Sequence, residues 1–161
     1  MDFAEVRRTN KALVKVAKLY RATQAQLLAN VGLHPGQDVL LWTLGQAPDG
    51  LLISELADRL GIEPPTVTRT LARLETGDWF TREHVPGDRR AVRIRLTPHA
   101  RDTLVRIEAN WRILADTATA GLNPPDRRQL VRLLEHVQAN LQTHATTAPD
   151  QPQTHGDELY Q

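Results

Sequence analysis

Between Ser54 and Leu96 the chain sets two short helix patterns on either side of a glycine and follows them at once with two strand patterns, an order that few folds accommodate. Leu56, Ala57 and Leu60 recur at helical spacing before Gly61. Val67, Leu71 and Leu74 do so after Pro64 and Pro65 and before Gly77. The expected helices are Ser54–Leu60, with the Ser54 hydroxyl as its cap, and Pro64–Thr76. Ala57 is small where two helices would cross closely, and Gly61 permits a sharp turn. If the leucines and Val67 face a core, Thr66, Thr68, Arg69, Thr70 and Arg73 face outward. Arginine can make paired hydrogen bonds to guanine, and threonine can bond a phosphate or touch a thymine methyl. An ordinary helical hairpin with a solvated polar face would carry a similar pattern.

The next segment separates the two readings. Trp79–Val85 reads as a strand, Pro86-Gly87-Asp88 as a turn, and Val92–Leu96 alternates apolar and basic residues with period two. A basic hairpin results, with Arg89 and Arg90 expected at its tip. A narrow minor groove concentrates negative potential and attracts inserted arginine. Asp88 could hold Arg90 extended. The chain's formal charge is only +1, yet Thr66–Leu96 holds seven arginines against four acids. A basic stretch on a nearly neutral protein suits a polyanion-binding surface.

Around this unit the pattern is helical. A long helix is expected over Phe3–Val31, with Gly32 as its stop. A second helix opens on Pro35 in its first turn, with Val39, Leu40 and Leu44 inward. Ala47–Gly50 reads as a turn and Leu51–Ile53 as a minimal strand. Thr97-Pro98 is a capping residue followed by a first-position proline. It opens a helix with Leu104, Ile107, Trp111, Leu114, Ala115 and Ala118 along one side. Gly121 breaks that helix, and Asn123–Asp126 starts another carrying Leu130, Leu133, Leu134, Val137 and Leu141.

The fold class expected is therefore mainly α with a small β-hairpin wing: a winged helix-turn-helix domain plus a terminal-helix dimerisation region. The domain boundaries expected are residues 1–34 and 98–144 for the helical dimerisation region, 35–97 for the winged helix-turn-helix, and 145–161 for a loose polar tail. Leu13, Val16 and Tyr20 at one end, and Leu130, Leu134, Val137 and Leu141 at the other, call for a partner surface, and a homodimer supplies it.

Other classes find little support. No cysteine is present, which removes disulfides, thiol redox sensing and cysteine–zinc sites. The six histidines are scattered, so no metal and no cofactor is expected. No phosphate-binding glycine loop or nucleophile motif marks an enzyme. The start lacks an apolar signal core and no run is long enough to cross a bilayer, so a cytoplasmic protein with no membrane partner is expected. The alternative kept open is a winged-helix protein-interaction module without specific DNA binding.

The run SELADRLGIEPPTVTRTLARLETGDWFTREHVPGDRRAVRIRLTPHA resembles the core of the MarR family of bacterial transcription regulators. The resemblance rests on PPTVTRTLARLE, the DRR wing tip and the strand-to-helix exit VRIRLTP, and extends from the first helix to about His144. It implies a triangular homodimer that binds a palindromic operator in double-stranded DNA, with repression the commoner outcome. It implies that Pro65, Thr66, Thr68, Arg69 and Arg73 lie in or beside the major groove. Arg90, supported by Asp88, would enter the minor groove, Arg89 would lie near the backbone, and Ser54 would meet a phosphate. It also implies a small aromatic effector, for which His34, Gln37, Trp42, His99 and Trp111 are the candidate lining residues. The sequence departs from the family at Gly77-Asp78-Trp79-Phe80, where the bulky Trp79 is expected to pack at the root of the wing.

Overall fold

The computed structural model describes residues 1–85 and 87–147, without the side chains of 88–90 and 145–147. It contains helices α1 (Phe3–Ala29), α2 (Gln37–Gly45), α3 (Ile53–Leu60), α4 (Pro64–Leu74), α5 (Pro98–Ala118) and α6 (Pro124–Thr147), and strands β1 (Leu51–Leu52), β2 (Phe80–Val85) and β3 (Asp88–Leu96). The fold is mainly helical with one small antiparallel sheet, as the sequence implies. The sheet has three strands in the order β1-β3-β2. β1 is the minimal strand expected after the Ala47–Gly50 turn, and it pairs Leu51 with Ile94 and Leu52 with Arg93.

Two compact units divide the chain, Met1–Ala118 and Thr119–Gln161. The core of the first unit is aliphatic. Leu28, Leu33, Leu40, Leu41, Leu44, Leu56, Val67, Leu71, Ile94 and Ile107 are all buried. The N-terminal two-thirds of α1 contributes nothing to this core; Leu13, Val16, Leu19 and Tyr20 are exposed. In the second unit the Asn123 side chain accepts from the Asp126 N–H at 2.9 Å, which caps α6 as its sequence suggests. Val131, Leu133, Leu134 and Leu141 of α6 are exposed. α6 runs to Thr147, so residues 145–147, expected in the loose tail, belong to the helix; the rest of that expected tail, 148–161, lies outside the described residues.

Three local expectations are corrected. Pro35 does not stand in the first turn of α2: Gly36, at φ 95°, is the residue before the helix, and the Gly36 N–H donates to Asp38 Oδ1 at 2.9 Å. That bond satisfies an amide at the helix start and sets the boundary at Gln37. Val39 is exposed, and Leu41 takes the inward position beside Leu40 and Leu44. Ser54 is not the cap of α3. Leu52 holds that place, and the Glu55 carboxylate accepts from the Leu52 N–H at 2.8 Å, while Ser54 sits exposed in the first turn.

The root of the wing is built around Trp79. It is buried, its ring lies 5.1 Å from that of His99, and its carbonyl accepts from the Thr97 N–H. The Thr97 hydroxyl donates to the Asp78 carbonyl at 2.6 Å and accepts from the Ala100 N–H at 3.1 Å. One side chain thus ties the end of the wing to its start and caps α5. A Cβ on Gly77 would stand 2.2 Å from Trp79 Nε1, so only glycine leaves room for the buried indole. Gly77→Ala is expected to lower stability by about 1–3 kcal/mol, as overpacking does, read by thermal melting. An unchanged melting temperature would mean that Trp79 is not confined here.

Candidate nucleic-acid interface

The α3–α4 pair is closed by Gly61, which adopts the left-handed conformation at φ 63°; its N–H meets the carbonyls of Ala57 and Asp58. The Ile62 N–H then reaches back to the Ala57 carbonyl at 3.1 Å. Leu56 and Ala57 of α3 are buried, as are Val67, Leu71 and Leu74 of α4. At 3.6 residues per turn those three leave one continuous outward arc on α4. Pro65, Thr66, Thr68, Arg69 and Arg73 all fall on it and all are exposed. The structure therefore brings these five sequence-predicted residues to one surface.

The chemistry of that arc is narrower than its composition. The Thr68 hydroxyl donates to the Pro64 carbonyl at 3.1 Å, and the Thr70 hydroxyl donates to the Thr66 carbonyl at 2.9 Å. With their protons engaged, these threonines offer a lone pair and a methyl group outward. They suit a thymine methyl or a base amino group better than a phosphate, which only accepts. Nor does the start of α4 offer amides to an anion. Pro64 and Pro65 lack them, and the N–H groups of Thr66 and Val67 both meet the Glu63 carbonyl.

The basic stretch also divides into two kinds of arginine. Arg82 pairs with Glu75 and lies over the Phe80 ring. Arg93 donates to the Gly50 carbonyl at 3.0 Å, Arg95 to the Pro48 carbonyl at 3.1 Å, and Arg101, beyond the stretch, to the same Pro48 carbonyl at 3.2 Å. Arg95 also faces Glu83 at 3.4 Å. Arg93, Arg95 and Arg101 fasten the 47–50 turn to the sheet and to α5, and Arg82 is engaged by Glu75, so the count of basic residues overstates the free positive surface. Arg69 and Arg73, by contrast, have no side-chain partner among the described residues.

The wing is shorter at its tip and less regular than expected. β2 and β3 pair in step from Phe80–Leu96 to His84–Val92, and then Val85 pairs with Asp88. The register shift leaves positions 89–91 of β3 without counterparts on β2, a bulge that interrupts the ladder. The backbone of Asp88, Arg89 and Arg90, expected in the loop, is therefore part of β3. Their side chains lie outside the described residues, and so does the expected Asp88–Arg90 bond.

The five residues read as lining an effector site do not gather. Trp42 and Trp111 meet, with ring centroids 5.6 Å apart. Gln37 is buried, and its side-chain oxygen accepts from the His34 N–H at 2.8 Å. His99 is elsewhere, against Trp79. An apolar cleft of about 210 Å³ lies between α1 and α5, lined by Val16, Leu19, Tyr20, Thr23, Leu114 and Thr117, and contains none of the five. The sequence reading missed Asp38 and Glu108, carboxylates that accept the indole protons of Trp111 and Trp42. Their partners are 73 and 66 residues away, beyond the reach of any local pattern. Among the described residues no group of three metal-ligating side chains occurs, and no helix is long and apolar enough to cross a membrane.

Comparison with known proteins agrees with this geometry. Residues 33–92 match the MarR family. The fold is similar to that of a MarR family transcriptional regulator from Streptomyces coelicolor solved in complex with DNA: TM-score 0.76 and 24% identity, over 88% of this chain and 94% of that one. It is similar to a Bordetella bronchiseptica protein whose DNA binding is regulated by 6-hydroxynicotinic acid: TM-score 0.73 and 24% identity, over 86% and 96% of the two chains. A MarR family protein from Mycobacterium tuberculosis shares 27% identity at a TM-score of 0.60, over 80% of this chain and 92% of its own.

Proposed function

From the MarR likeness and the surface of α4, we propose that this chain is a sequence-specific, homodimeric DNA-binding transcription regulator that acts as a repressor in the cytoplasm. The observation that carries the proposal is the exposed arc of Thr66, Thr68, Arg69 and Arg73, backed by a fully buried aliphatic face. A recognition helix needs both sides: one held by the core, the other free for base edges. Arg69 and Arg73, without a side-chain partner among the described residues, are assigned to paired base contacts. Pro65 is assigned to the groove wall, and Ser54, exposed at the start of α3, to a phosphate. Arg90 is assigned to the minor groove, Asp88 to its support there, and Arg89 to the backbone. Likeness to a regulator controlled by 6-hydroxynicotinic acid supports a small aromatic effector, with His34, Gln37, Trp42 and Trp111 as the nearer candidates and His99 at the wing root as the remaining one.

The test is binding to duplexes recovered by selection from genomic DNA, measured at two salt concentrations. A protein making 6–10 phosphate contacts loses about 10³–10⁵ in affinity between 50 and 200 mM salt. Arg69→Ala should cost about 1–3 kcal/mol and relax the base preference at one position of each half-site. Arg89→Ala should weaken binding to all sequences alike. Selection that returns no preferred sequence would refute the proposal.

A further inference from the structure

α2 and α5 are joined by a reciprocal pair of indole–carboxylate hydrogen bonds. Trp111 of α5 donates from Nε1 to Asp38 Oδ2 of α2 at 2.7 Å. Trp42 of α2 donates from Nε1 to Glu108 Oε1 of α5 at 3.1 Å. Each helix thus gives one carboxylate and one indole, four residues apart on α2 and three apart on α5, so both pairs stack on one face of each helix. The two rings close the gap between the bonds. Asp38 is wholly buried, and its other bonds come from Gln24 Nε2 of α1 at 3.1 Å and the Gly36 N–H at 2.9 Å. All its donors are neutral. A buried carboxylate served this way is a costly means of holding two helices together, since well-packed apolar side chains hold them at least as firmly. What apolar packing does not supply is direction, because it tolerates small slides that a short hydrogen bond to a carboxylate does not.

We infer that Asp38, Trp42, Glu108 and Trp111 are positioning residues for DNA binding: the clasp fixes the register of α2 on α5, and so the distance between the two recognition helices of a dimer. α2 packs against α3, α4 and β3, so it carries the reading surface, while α5 is the long helix that leads away from the wing. A slide of one helix on the other moves α4 relative to the rest of the subunit without unfolding either. This inference rests on the dimeric regulator proposed above.

The experiment uses the full chain and a set of synthetic duplexes. Each duplex holds two inverted copies of the half-site returned by genomic selection, at the best spacing and one base pair above and below it. The parent protein should bind the best spacing about tenfold more tightly than its neighbours. Trp42→Phe keeps an aromatic ring and removes one bond from the exposed Glu108, so it leaves no buried group unpaired and should fold. Trp111→Phe removes the deeper bond. Both variants should keep the parent salt dependence while the preference between spacings falls to about threefold or less. A residue that serves stability alone would lower the melting temperature and leave the spacing preference in place. Nuclear magnetic resonance of the indole N–H groups in the free protein checks that each clasp bond exists in the parent and is lost in the variant. Variants that lose the bond and keep the parent's spacing profile overturn the inference. A parent protein with no spacing preference overturns it together with the dimeric regulator reading, and that outcome is recognised because the parent, not only the variants, lacks the optimum.

Discussion

Leu71→Ala is expected to cost about 2–5 kcal/mol of stability, lowering the melting temperature by roughly 10 °C. Leu71 is fully buried on α4, and Leu56, Val67 and Ile94 belong to the same aliphatic core. Arg73→Ala, two residues along the same helix, removes an exposed side chain with no partner among the described residues. It should leave the melting temperature within the small range of surface substitutions, about 0.5 kcal/mol, and act on DNA affinity instead. The pair separates the two faces of α4: one variant loses stability, the other binding. Thermal melting of both proteins, beside DNA titration at a temperature where both are folded, provides the check. A Leu71→Ala protein that melts with the parent would mean that α4 is not seated on this core.

That separation was legible in the sequence because it depends on local spacing. Val67, Leu71 and Leu74 repeat at the period of a helix, and Gly61 sits where the chain must turn. Thr97-Pro98 announces the start of α5 by the same local logic, and Thr97 does cap it. Where the reading went astray, the deciding contact is not local, or a nearby carboxylate takes an amide that spacing does not single out, or the pattern is ambiguous. α2 is apolar along most of its length, so periodicity could not choose between Val39 and Leu41. Pro35 is a good first residue for a helix, but the Asp38 carboxylate accepts the Gly36 N–H and moves the start past it. Arg82, Arg93 and Arg95 count as positive charge in the sequence, yet the folded chain directs them to Glu75, Gly50 and Pro48. Pro65, Thr66, Thr68, Arg69 and Arg73 stand on α4 at positions the sequence could place, because an outward face follows from knowing the inward one. The Asp38–Trp111 bond joins positions 73 apart, and only the tertiary fold brings them together.

Val16→Asp on α1 is expected to convert the proposed dimer to a monomer and to abolish its high-affinity operator binding. Val16 is 61% exposed within the chain, and Leu13 and Tyr20 on the same side of α1 are 43% and 46% exposed. With Leu19 they form an apolar stripe, and the cleft between α1 and α5 lies beside it. Leaving such a stripe in water wastes about 25 cal/mol for each square ångström that a partner could cover, which is why this face is assigned to the dimer. In a dimer Val16→Asp buries an unpaired carboxylate in each subunit, a change that costs about 3–5 kcal/mol where a buried charge lacks its partner. In a monomer the same residue is solvated and costs little. DNA binding then falls further than any single contact explains, since a monomer loses the advantage of two linked half-sites, about 10²–10⁴ in affinity. Val14→Asp is the control: Val14 is equally exposed at 60%, but two residues back along α1 it faces away from the stripe, toward Lys18 and Arg21. It should remain dimeric. Removing the chain from Leu130 onward should likewise give a monomeric or insoluble protein, since α6 exposes Leu133, Leu134 and Leu141. Sedimentation velocity over a range of protein concentrations distinguishes the outcomes. If Val16→Asp sediments as the parent does, the dimer is built from some other face, and the two recognition helices are not spaced by α1.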